Sequence, residues 1–218
     1  FADLRVRKAL TLLQNRDELI KKLFFNEYVP LNSYHAGGIY ENKSNPKNDY
    51  NQQAALQLLA EAGWKDRDAQ GRLVKNGAPL TLELLYASKG SETWMTVYQE
   101  ELRKVGIALN LRLVTPETLF KLVMDRNFGM VSMAWGALLF PNPETSFGSE
   151  LADQQNNNNI TGFKDPKVDA LLKQYDTEYD QKKRAAIIQE VDGILANSYQ
   201  YALGWDAPFQ RIAYWNRF

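Results

Sequence analysis

Hydrophobic and polar positions change their period several times along the chain. The opening stretch LRVRKALTLLQNRDELIKKLFF places apolar residues three and four apart, the spacing of helices with one buried face. Within it, Asn15 followed by Glu18 gives a capping-box-like start for a second helix. Residues 26–50 lose this period and are rich in Asn, Pro, Gly and Tyr, which predicts a long irregular connection of the kind that often carries function. Asn51 then predicts the cap of a helix through Ala62, and Gly63 is placed to end it.

The period next drops to two. Leu80, Leu82 and Leu84 alternate with Thr81, Glu83 and Leu85, as in a half-buried strand. A helix follows over 94–105, closed by Gly106, and then a strand over 107–114 (IALNLRLV). Thr115-Pro116 opens a helix that reaches Asp125, with proline at its first position. The pattern further predicts a strand over 128–135, a turn-rich loop GALLFPNPETSFGSE, and the asparagine run 156–159. A helix beginning at Asp165-Pro166, a long amphipathic helix over 181–197, a strand over 200–206 and a strand-like RIAYW run complete the chain.

Strands alternating with helices predict an α/β fold, with a mixed, mostly parallel sheet flanked by helices. In such sheets ligands gather at the loops after the carboxyl ends of strands. That rule selects residues 87–93, 115–116, 136–147 and 206–208.

Composition narrows the chemistry. Lysine plus arginine and aspartate plus glutamate each number 26 in 218 residues, so no basic stripe speaks for a nucleic-acid partner. Cysteine is absent, which removes disulfides and thiolate chemistry. His35 is the single histidine, which leaves little for a zinc or iron site or a serine triad, so neither a metal nor a cofactor is expected. The stretch KDRDAQGRLVKNG resembles a calcium loop in its alternating Asp66, Asp68 and Gln70 and in Gly71. Its twelfth position, however, is Gly77 rather than a bidentate glutamate, and a strand follows it, so it reads as an exposed Asp/Gly turn. The chain opens on a helical pattern without a methionine and ends on an aromatic run, which suggests a piece of a longer chain.

Glu144 and Asp206 are the candidates for paired-carboxylate hydrolysis, although no motif supports it. Trp205 and Trp215 read as core fillers. Trp135, beside Gly136, serves equally as a core filler or as the wall of a binding site. The asparagine run reads as a solvated loop whose amides could alternatively line a polar cleft.

A resemblance adds to this. LRVRKALTLLQNRDELIKKLFF, YNQQAALQLLAEAGW, NGAPLTLELLYA, EELRKVGIALNLRLV, FGMVSMAWG and ITGFKDPKVDALLKQYDTEYDQKKRAAIIQEVDGIL resemble, in order, the family 5 extracellular solute-binding proteins. These are the dipeptide, oligopeptide and nickel binding proteins of ABC importers. PNPETSF, the asparagine run before ITGF, and ALGWDAPFQRIAYWNRF are similar to the microcin C-type oligopeptide subgroup.

The resemblance implies a lobe of the type II periplasmic-binding-protein fold. Residues 1–218 would be the second lobe of a two-lobed clamshell whose first lobe lies elsewhere in the chain. The expected partners are a peptide or peptide-like ligand and the membrane subunits of an ABC importer, in the periplasm or anchored outside the cytoplasmic membrane. The implied ligand-facing residues are Trp135, Gly136, Ala137 and Leu138, with Ser88 and Lys89 after the first strand, and Glu144 and Arg126 as further candidates.

Peptide-binding relatives hold the ligand's ammonium with an aspartate at the position of Leu138. An ammonium buried without a partner costs about 3–5 kcal/mol, roughly two to four powers of ten in affinity. Three arrangements stay open: Glu144 substitutes, the ligand's amine is blocked, or the ligand is not a peptide. A metal chelate or metallophore and a carboxylate-based hydrolase are the rival readings.

Overall fold

Two hydrophobic layers meet on a parallel sheet. The computed structural model describes residues 1–136, 140–209, 212, 213 and 215. Its helices are α1 (Leu4–Leu12), α2 (Arg16–Lys22), α3 (Gln52–Glu61), α4 (Glu92–Lys104), α5 (Pro116–Met124), α6 (Glu144–Phe147), α7 (Pro166–Thr177) and α8 (Gln181–Ser198). Its strands are β1 (Val29–Pro30), β2 (Asp66–Arg67), β3 (Leu73–Lys75), β4 (Ala78–Pro79), β5 (Thr81–Tyr86), β6 (Ala108–Leu113), β7 (Met130–Val131) and β8 (Trp205–Asp206).

The principal sheet has the order β6-β5-β7, and both pairings are parallel. Thr81 lies opposite Ala108 and Tyr86 opposite Leu113, while Leu84 and Leu85 face Met130 and Val131. Side chains alternate across a strand, so Leu84 and Tyr86 point to one face and Leu85 to the other. The first face packs with α1, α3 and α4 through Ala9, Leu13, Leu59, Met95 and Leu102. The second packs with α5 through Leu119 and Val123, and with Ile160. Burial on both faces explains why Leu84, Leu85 and Tyr86 form an unbroken apolar run at the end of a strand that begins by alternating. The chain is thus an α/β structure of the expected kind.

Local chemistry sets most boundaries. Asn51 caps α3 by accepting the Ala54 amide, Thr115 caps α5 ahead of Pro116, and Asp165 accepts the Lys167 and Val168 amides ahead of Pro166. At α2, Asn15 caps the Glu18 amide as expected. The Glu18 carboxylate returns to the Asn15 side-chain amide rather than to its backbone. Gly106 follows α4 with φ +88, and a Cβ there would stand 2.6 Å from the Gly71 carbonyl oxygen. Only glycine lets the β2–β4 hairpin rest there.

That hairpin is the KDRDAQGRLVKNG stretch. β2, β3 and β4 form an antiparallel sheet, with Asp66 opposite Val74. One Asp68 carboxylate oxygen accepts the amides of Gln70 and Arg72, and the other accepts the Arg72 guanidinium at 2.7 Å. The carboxylate that suggested calcium closes a turn.

Three expected elements differ. The strand expected over 128–135 is only Met130–Val131, because it pairs on one side and leaves the sheet after the Ser132 amide reaches the Leu85 carbonyl. The strand expected over 200–206 shrinks to β8, which pairs antiparallel with β1 in a separate ribbon. The rule that selected 206–208 therefore does not apply there. In the RIAYW run, Arg211 and Tyr214 lie outside the described residues.

The segment over 26–50 is irregular, as expected, but tightly anchored. The buried Arg16 guanidinium donates to the carbonyls of Leu31, Lys47 and Leu203 and to the Asn32 side chain. From α8, the fully buried Asp192 accepts the Ser33 hydroxyl at 2.6 Å, the Tyr34 amide at 2.9 Å and the Asn45 side-chain amide at 2.9 Å.

Candidate functional site

Parallel strands end on the same side of their sheet, so the β5, β6 and β7 loops converge. β5 is central, and its exit carries Ser88 and Lys89, both exposed. β6 runs out through Val114, whose amide donates to the Tyr86 carbonyl at 2.9 Å, into Thr115. β7 runs out through Ser132 into Trp135 and Gly136. The topology therefore places Ser88 and Lys89 between the Thr115 turn and the Trp135 segment.

Trp135 is 58% exposed, and a side chain added at Gly136 would meet no atom within 4 Å. An indole in that position fills no core. It faces open space beside uncovered backbone. Leu113, at the end of β6, and Phe120, on α5, are also exposed apolar side chains.

The helices add polarity. α4, preceded by a 3-10 turn at Lys89–Ser91, and α5 both begin at this edge, so their amide ends favour negative charge there. Lys89 has the same sign. Glu92 and Glu117, in the first helical turns, oppose it in part. The Glu117 carboxyl is held below its usual range by its own backbone amide and then by the Thr115 hydroxyl.

An aromatic row continues from this edge. Trp94, in the first turn of α4, meets Trp205 edge to face at 5.0 Å. Phe24 lies 4.9 Å from both Trp205 and Tyr28, and Tyr28 lies 6.1 Å from Phe209. Trp205, expected as a core filler, is thus a half-buried member of this row. Trp215, expected likewise, is 81% exposed.

Arg126 does not belong to the edge. With φ +51, it donates to the carbonyls of Ala152, Leu151 and Asn159 and to the Asn157 side chain. A guanidinium committed to four acceptors within the chain is a staple, and we correct its assignment as a ligand-facing residue. The asparagine run is not solvated throughout. Asn159 is fully buried, donates to the Gly148 and Phe163 carbonyls and accepts the Phe163 amide.

Glu144 is exposed at the start of α6, and Asp206 lines a separate groove with Val29, Glu41 and Phe209. Glu144 does not line that groove. Ala137 and Leu138 lie outside the described residues. The strand-exit rule selected Thr115, within 115–116, but neither Ser132 nor Trp94. Their signal is topological, since each adjoins a strand exit.

Against known proteins, residues 1–158 match the family model described as bacterial extracellular solute-binding proteins, family 5 middle. The oligopeptide-binding protein AppA of Bacillus subtilis is 30% identical over 198 residues, covering 83% of this chain and 36% of that protein. The uncharacterized protein YejA of Escherichia coli is 24% identical over 252 residues, covering 100% of this chain and 42% of that one. Among solved structures, Bacillus subtilis AppA in complex with a nonapeptide superposes with a TM-score of 0.86 at 26% identity, over 94% of this chain and 42% of that one. NikA from Brucella suis, in complex with Fe(III)-EDTA, gives 0.80 at 24% identity over the same shares. The chain spans well under half the length of these relatives.

Proposed function

Since the chain belongs to the bacterial extracellular solute-binding proteins of family 5, we propose that it is the second lobe of a two-lobed importer component that captures oligopeptides or peptide-like solutes. The fold is that of type II periplasmic binding proteins. On this reading the first lobe lies elsewhere in the same chain, and the ligand is gripped between the two by hinge closure. The closed form then docks on the membrane subunits of an ABC importer, outside the cytoplasm. No covalent chemistry takes place.

The observation that carries the reading is the exposed Trp135 beside the open backbone at Gly136, at the carboxyl edge shared with Ser88 and Lys89. Uncovered backbone can pair with a peptide main chain whatever its side chains, which gives tolerance of sequence. Trp135 offers an apolar wall, and Lys89 with the helix amide ends suits a carboxylate. On this reading the ligand's amine needs another partner, because Leu138 stands where the resemblance implies an aspartate; the exposed Glu144 is the carboxylate we propose for it. The peptide complex of the AppA neighbour supports a peptide over a chelate, since the chelate-bound NikA neighbour supports the fold alone.

Native mass spectrometry of the full-length protein, purified without denaturant, tests this. A ladder of retained masses differing by amino-acid residues is the expected result. A single metal-bearing mass would overturn it in favour of a chelate carrier.

A further inference from the structure

Trp94 stands in the first turn of α4, immediately after the 3-10 turn over Lys89–Ser91, and its ring is half-buried. Helical side chains lean toward the start of their helix, so the indole leans toward that turn. The space beside the turn is open, since a side chain added at Gly90 would meet, beyond its chain neighbours, only the Ser88 hydroxyl at 3.7 Å. Neither Ser88 nor Ser91 caps the amides here with its side chain, in contrast to Asn51 at α3 and Thr115 at α5.

We propose that Trp94, backed by Trp205 and Phe24, receives the last side chain of the ligand, so that the protein selects peptides ending in an aromatic or large aliphatic residue. The inference rests on the reading of Lys89 and the α4 amide end as the place of the ligand's carboxylate.

A terminal carboxylate and the side chain of the same residue share one Cα. A peptide that sets its carboxylate on Lys89 therefore brings its last side chain beside the same turn, toward which Trp94 leans. The ring is fixed before any ligand arrives. It packs on the buried cluster that includes Leu84, Tyr86 and Leu102, and it meets Trp205 at 88° with centroids 5.0 Å apart. Trp205 is held in turn by Phe24 at 4.9 Å. All three rings stay half-buried, so the row keeps a face toward solvent. An aromatic side chain would extend the row by one ring in the edge-to-face or offset manner that ring quadrupoles favour, and a large aliphatic one would gain by covering the indole. Little side-chain freedom is lost on binding, because the rings already hold one another. Glu92, in the same helical turn, disfavours an acidic side chain.

The test is calorimetric titration of the full-length protein with nonapeptides that differ in one residue, phenylalanine or serine, placed last or first. With the change at the last position, the phenylalanine peptide is expected to bind about tenfold tighter, the scale of burying part of such a ring. At the first position the difference is expected to be smaller. In Trp94→Ala the preference at the last position is expected to fall to about twofold, and in Trp94→Phe to be largely kept, which separates the ring from general damage. Equal affinity for the two last residues in the wild-type protein, or a stronger preference at the first position, overturns the proposal and leaves the peptide reading standing. An undiminished preference in Trp94→Ala does the same. The wild-type comparison needs no variant, so it decides even where Trp94→Ala fails to fold. If no nonapeptide binds, the peptide reading fails and the subsite falls with it.

Discussion

The Ser132 amide donates to the Leu85 carbonyl across 2.9 Å, one residue past the last register pair of β7. This bond is where the chain leaves the sheet, and it starts the Trp135 segment beside the exit of β5. A peptide-sized ligand laid along the edge would meet groups from three separate strand exits. The site's geometry therefore follows from the sheet order as much as from the identity of any one residue.

Trp135→Ala should weaken ligand binding by about 1–3 kcal/mol, the worth of burying a large apolar side chain, and leave the melting temperature unchanged. The ring is 58% exposed in this chain, so folding gains little from it. Calorimetric titration of the full-length protein with a nonapeptide, beside a thermal melt, separates the two effects. Unchanged affinity removes Trp135 from the wall.

Asp192 ties α8 to the segment over 26–50, and its loss should be felt in folding. Asp192→Ala takes away the acceptor of the Ser33 hydroxyl and the Tyr34 amide and leaves the Asn45 side-chain amide only the Asn32 carbonyl. The expected cost is about 2–5 kcal/mol. Urea unfolding would show it as a lower midpoint with a similar slope, and a midpoint within error of wild type contradicts the account.

How much of this was legible in the sequence depends on how local its cause is. Asn51, Thr115 and Asp165 cap helices because a short polar side chain bonds amides two or three residues on, and such a signal lies within one stretch of chain. The repeat of strands and helices that sets the parallel sheet was legible for the same reason. Asp192 gave no sign, since its partners lie about 150 residues away in sequence, as the Ser33 separation of 159 illustrates. Arg126 was named from the resemblance alone, and the sequence gives no sign that the carbonyls of Leu151, Ala152 and Asn159 are brought to it. The strand over 128–135 was overextended because apolar alternation does not reveal that only one neighbour is present to pair with.

The asparagine run offers an internal contrast. Asn159→Ala should cost about 2–4 kcal/mol, because the buried side chain donates to the Gly148 and Phe163 carbonyls and accepts the Phe163 amide. Asn158→Ala, at an exposed neighbour, should stay within about 0.5 kcal/mol. Equal effects in chemical denaturation would show that the run acts by composition alone.

His35 gives a pH dependence with a definite sign. Burial holds its imidazole below the usual 6.5, against the opposing pull of Asp192, and its Nε2 is buried without a hydrogen-bond partner. Below pH 6.5 the unfolded chain takes up the proton and the folded chain resists it. The stability this group contributes is therefore full above 6.5 and falls as the pH drops below it. Between pH 7 and pH 5 the wild-type protein should lose stability more steeply than His35→Asn, and parallel profiles would contradict the burial argument.

The central claim is that the carboxyl edge of the β6-β5-β7 sheet receives the ligand. Hydrogen–deuterium exchange of the full-length protein, with and without a tryptic digest of casein, tests it most directly. The account predicts slowed exchange in fragments covering residues 87–91 and 132–136 when peptides are present. Protection confined to the groove lined by Val29, Glu41 and Asp206, with those two stretches unchanged, would contradict it.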